Sequence, residues 1–140
     1  MCVISVLILF VLIIASVRDI VCKEVDIREI MALITLMVVY IFMDDTFKMI
    51  NSIWGLLFGL LLIVFSKLSK QALGFGDAIV LLVLGVGFGV YRVIYIFMIS
   101  LIISSVIAII FFLLKKVGRK TQLPFIPYIT IAVMVMMISL

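Results

Sequence analysis

The 140-residue sequence contains no histidine and only two cysteines, Cys2 and Cys22. Without histidine there is no Ser-His-Asp or Cys-His nucleophilic site, and the common Cys/His zinc patterns are excluded as well. No metal and no other cofactor is expected. Charge is also scarce: 13% of residues are charged, against 69% hydrophobic, with a mean hydropathy of +1.61. Soluble domains hold roughly 45–50% apolar residues, so the composition is that of an all-α integral membrane protein. Its main partner is the lipid bilayer. A single domain over residues 1–140 suffices for this length.

The formal net charge of +4 does not imply a nucleic-acid partner. The basic residues fall in short clusters between apolar runs, and no continuous basic face is available. Six apolar runs cover residues 1–17, 30–43, 50–65, 78–91, 93–114 and 123–140. A span needs about 17–25 residues, so the second and fourth runs must borrow flanking residues, from Asp26 and from Leu73 onward. Borrowing would sink Asp77 below the membrane surface.

Alternate loops place Arg18, Lys23, Arg28, Lys67, Lys70, Lys115, Lys116, Arg119 and Lys120 on one side, and only Lys48 and Arg92 on the other. The positive-inside rule then predicts six transmembrane helices with both termini on the non-cytoplasmic side. The amino terminus has no basic residue before its apolar run, unlike a cleaved secretory leader, and is expected to remain as a spanning helix. Cys2 and Cys22 fall at opposite ends of that helix and read as free thiols. No feature of the sequence specifies an oligomeric state.

Against this background two acids stand out. Asp77 follows two glycines in Leu73-Gly74-Phe75-Gly76-Asp77, at the mouth of an apolar run. Ionisable groups in such positions are functional candidates because lipid makes them costly. Asp19 ends the first run, in Ala15-Ser16-Val17-Arg18-Asp19. This topology, which rests on the basic residues alone, puts both acids at the cytoplasmic ends of their helices.

Leu81, Gly85 and Gly89 continue the stripe of Asp77 at four-residue spacing, and Gly55 with Gly59, and Ser100 with Ser104 and Ala108, repeat it. Small residues so spaced let helices approach closely in lipid. Asp77 is therefore expected to face protein. The last run opens Leu123-Pro124-Phe125-Ile126-Pro127-Tyr128. Pro124 can sit in a first helical turn without losing a needed donor, while Pro127 removes a further N–H and constrains the start of the helix.

Two carboxylates at close range cannot both ionise easily and come to share a proton. One can then deprotonate water while the other protonates a leaving group, hydrolysing an amide without metal or covalent nucleophile. Asp19, beside Arg18 and a charged loop, also reads as an interfacial salt-bridged acid. Asp77 equally suits a small membrane transporter or channel component using it as a proton or ion site. The residue pattern gives two acids on one side without choosing a reaction.

The choice comes from a resemblance. Gly74-Phe75-Gly76-Asp77 resembles the Gly-x-Gly-Asp signature of the type IV prepilin peptidases, a family of intramembrane aspartic proteases. In that family one catalytic aspartate follows the first of six core helices and the other belongs to this signature at the start of the fourth; Asp19 and Asp77 fall at those places. Pro124-Phe125-Ile126-Pro127 is similar to a Pro-Phe-x-Pro stretch entering the family's last core helix.

The resemblance implies an aspartic endopeptidase that removes the basic leader from type IV prepilins or pseudopilins at the cytoplasmic face of the cell membrane, in type IV pilus assembly or protein secretion. Asp19 and Asp77 would be the catalytic pair, with Gly74 and Gly76 shaping the helix end. Opposite charge on the shared side suggests Glu24, Asp26 and Glu29 as contacts for the basic leader. The chain resembles the short, peptidase-only form: there is no room for the cysteine zinc insertion of the larger, N-methylating members. Ile79 stands where many members carry lysine, so that position is given no role.

Overall fold

The structure is a computed structural model, and it describes residues 2–22, 26–44, 49–69, 74–114 and 124–139. Among these residues the chain is all helical. The elements are α1 (Cys2–Cys22), α2 (Ile27–Met43), α3 (Met49–Leu68), α4 (Phe75–Phe88), α5 (Val90–Leu113) and α6 (Ile126–Ser139). The Val3–Cys22 segment of α1, together with α3 and α5, is long and apolar enough to cross a membrane. α2, with 17 residues, sits at the lower limit for a span, and among the described residues α4 and α6 fall short of it. α4 and α6 have 14 residues each, about 21 Å at 1.5 Å per residue, against a hydrocarbon core of about 30 Å.

Helix α4 is the centre. It packs against α2, α3 and α5, while α1 lies between α2 and α6, and most of its residues are buried. In lipid, where exclusion from water cannot drive association, such a helix is held by close van der Waals contact. The closest approach is at Gly55 of α3 and Gly85 of α4. A Cβ built on Gly85 would lie 2.7 Å from the Gly55 carbonyl oxygen, and one on Gly55 would meet the Gly85 carbonyl. Here the small-residue stripes read from the sequence do what their spacing suggested.

The stripe stops one residue early, however. Gly89 has φ +85° and breaks the helix, so α4 ends at Phe88 where the apolar run continued to Tyr91, and Arg92 belongs to the first turn of α5. At the other boundaries, α1 runs past Val17 to Cys22, with Asp19 opening its last turn and Arg18 immediately before it. Asp26 caps α2, its carboxylate accepting from the Arg28 N–H at 3.3 Å. Pro124 lies before α6 and Pro127 takes its first turn, the reverse of the arrangement that treats Pro124 as the first-turn proline. Cys22 is a free, exposed thiol, and the length of α1 separates it from Cys2 by about 30 Å.

Several polar and aromatic contacts gather at the two ends of the bundle. At one, the end of α1 meets the starts of α2, α4 and α6, and Lys67 at the end of α3 lies 5.7 Å over the Phe75 ring that opens α4. At the other, Arg92 at the start of α5 donates to the Tyr40 hydroxyl at the end of α2 at 3.4 Å, and Tyr40 stacks edge-on against Phe88 at the end of α4. This is the pattern of helices alternating in direction.

Candidate active site

Asp19 is buried although it lies one turn from the end of α1. Its surroundings follow from how α6 begins. The Phe125 carbonyl accepts from Tyr128 and Ile129, which makes Phe125 the cap and Ile126 the first helical residue. The first N–H groups of a helix have no partner within it. Pro127 removes one of these donors, and the Ile126 N–H donates instead to Asp19 Oδ2 at 3.3 Å, with the Phe125 N–H also directed at this carboxylate. A carboxylate from α1 thus caps α6, where the helix dipole favours negative charge. Further along both helices, the Thr130 hydroxyl donates to the Leu12 carbonyl at 3.3 Å and stitches the same two helices together.

Asp77 is buried too, at the third position of α4. Its carboxylate accepts from the backbone N–H of Gly74, the residue that caps the helix. This is the back-reaching half of a capping box. A Cβ on Gly74 would lie 2.5 Å from Asp77 Oδ2, so a side chain there would displace the acid. Gly76 is the second residue of α4 and half-buried.

The fold brings the two acids together. The charge of Asp19 is felt at Asp77, and also at Glu29 on α2. Two largely desolvated carboxylates, each at a helix N-terminus and within electrostatic reach, can share one proton.

The three acids suggested for leader contact separate. Asp26 is half-exposed at the cap of α2, where Arg18 Nη1 donates to Asp26 Oδ2 at 2.7 Å. Glu29 is turned inward: its oxygens are shielded from solvent and, among the described residues, make no well-formed hydrogen bond. They face Arg18 Nε at 3.4 Å and, more weakly, the Asp26 N–H. Glu24 lies outside the described residues. Phe125 stacks edge-on against Tyr128, with ring centroids 6.2 Å apart, and both are buried beside Asp19's donors.

The model of the type IV leader peptidase family matches residues 6–113, which include α2 to α4, most of α1 and all of α5, and therefore both acids. The chain belongs to the type IV leader peptidase family. No curated protein and no solved structure gives a match. Membership makes this a membrane-embedded peptidase and implies prepilin substrates. The Pro124–Pro127 stretch lies beyond the matched residues.

Sequence reasoning missed the Ile126 N–H, because a backbone donor has no residue type to notice. It also missed the inward turn of Glu29. A signal for that was present: Asp26-x-x-Glu29 has capping-box spacing, which directs Glu29 back along the helix start.

Proposed function

We propose that this leader peptidase is an aspartic endopeptidase in which Asp19 and Asp77 share a proton and activate water to cut the basic leader from type IV prepilins or pseudopilins. The observation that carries the reading is the convergence of these two buried carboxylates from α1 and α4 within electrostatic reach of each other. One carboxylate takes a proton from water as its oxygen attacks the scissile carbonyl. The protonated partner then delivers its proton to the departing amine, and no metal or covalent intermediate enters the scheme.

In this reading all six helices span the membrane with both termini outside, and the site faces the cytoplasm as the basic loops require. The alternating ends of the bundle support it, since one end gathers both acids. The short α4 and α6 would begin beneath the membrane surface, so a substrate helix in the bilayer would meet the acids where its apolar segment gives way to the leader. Asp26, half-exposed beside this end, is the acid we carry forward for attracting the leader's basic residues.

The test is co-expression with a candidate prepilin, reading leader loss by gel shift. Wild type should process the substrate, while Asp19→Asn and Asp77→Asn, which keep size but cannot relay the proton, should lose at least about a hundredfold in rate. Unimpaired processing by either variant would overturn the dyad.

A further inference from the structure

Residues adjacent on a helix point about 100° apart, and at positions 18 and 19 the two directions are put to different uses. Asp19 faces α6 and α4, whereas Arg18 faces α2 and joins two of its acids: Asp26 Oδ2 at 2.7 Å and Glu29 Oε1 at 3.4 Å. The Asp26 pairing is half-exposed, but the Glu29 side chain is only 9% exposed, and among the described residues Arg18 is the cation paired with it. A carboxylate so enclosed makes a strong demand on a cation that reaches it, as Arg18 does. The last turn of α1 is therefore fixed on two flanks, by Arg18 to α2 and by Asp19 to the Ile126 N–H of α6.

We propose that Arg18 is a positioning residue for Asp19: gripped by Glu29 and Asp26, it sets the rotation of the last turn of α1 and so keeps Asp19 directed at α6 and α4. This rests on the leader-peptidase reading above. It gives Glu29 a role apart from leader attraction, as the buried anchor of the grip. The substrate need touch neither residue, so the effect belongs in turnover and not in substrate binding.

The test uses full-length protein in detergent or liposomes, with Arg18→Met, Arg18→Lys and the double variant Arg18→Met/Glu29→Gln. Arg18→Met breaks the grip and strands a buried acid, so kcat should fall at least about fivefold, a size typical of coupled neighbours, while KM holds within about twofold. Adding Glu29→Gln removes the stranded charge and should restore thermal stability without restoring kcat, because the tie is still missing. Arg18→Lys, which can still meet Glu29, should recover most of the turnover. If kcat instead follows thermal stability across the set, or Arg18→Met leaves kcat untouched, the proposal is overturned.

A second readout needs no substrate. Amide hydrogen exchange at Phe125 and Ile126 should speed up in Arg18→Met, as Asp19 loosens from its donors, and should stay fast in the double variant. Unchanged exchange there overturns the positioning role. Wild-type protein that cleaves no leader yet shows this exchange response would sink the peptidase reading and leave the positioning of Asp19 standing.

Discussion

The carboxylate of Asp19 caps α6 through the Ile126 N–H, 3.3 Å away and 107 positions along the chain. The contact predicts an unusual ranking at position 126. Proline suits the first position of a helix, but it would delete the donor and place a ring carbon where the hydrogen now points at Asp19. A hydrogen bond to a charged group is worth about 1.5–3 kcal/mol, so Ile126→Pro should slow leader cleavage about tenfold or more. Ile126→Ala removes more of a fully buried side chain and should cost at least as much stability, yet it keeps the N–H and should retain more activity. Cleavage and thermal unfolding of the two variants decide the matter; an alanine variant slower than the proline one would show that packing governs the site.

Gly74 makes a separable prediction. Its φ of −56° is open to any residue, so the backbone itself does not demand glycine. What a methyl group would meet is Asp77 Oδ2, at 2.5 Å. That atom ends a rotatable side chain, so the clash is relieved by turning the acid away, not by parting helices. Gly74→Ala should therefore fold with near-wild-type thermal stability and cleave poorly. Loss of both together would mean that the glycine serves the fold.

How much of this was legible follows from what kind of signal each part leaves. α1, α3 and α5 announce themselves as long apolar runs, and Gly74-Phe75-Gly76-Asp77 marks Asp77 directly. The limits of α4 were less visible, because Val90 and Tyr91 continue its apolar run and the break depends on the backbone angle of Gly89. Asp26 and Glu29 look alike in a charged stretch. Three residues of helix turn one outward as the cap and the other inward beneath Arg18. The start of α6 shows the same limit: Pro124 and Pro127 both suit a first turn, and Asp19 on a distant helix is the partner of the donor that Pro127 leaves next to it.

The crossing of α3 and α4 gives a prediction of the opposite kind to Gly74. At Gly55 an added methyl group would land on the Gly85 carbonyl, which is backbone and cannot rotate away. Relief requires the helices to separate, and overpacking of this sort costs about 1–3 kcal/mol. Gly55→Ala should lower the thermal unfolding midpoint in detergent and reduce cleavage in parallel, since α4 carries Asp77. Gly55→Ala protein with unchanged stability would show that the two helices are not held at this distance.

Asp26 supplies a pH dependence whose sign can be worked out. The Arg28 backbone N–H, and after it the Arg18 guanidinium, hold its carboxyl below the usual carboxylate range. A carboxyl depressed on folding stabilises the folded protein above its unfolded value of about 3.9, and that contribution disappears as the pH falls through the lower folded value. The gap in thermal stability between wild type and Asp26→Ala should thus be constant above about pH 5 and should narrow in stronger acid. Asp26→Asn keeps an oxygen able to cap α2 but has no proton to exchange, so it should be more stable than Asp26→Ala at neutral pH, and its own margin over alanine should not depend on pH. Unfolding curves from neutral pH into the carboxylate range separate these cases. A wild-type margin over Asp26→Ala that stays the same at every pH would mean that the oxygen of this cap matters and its charge does not.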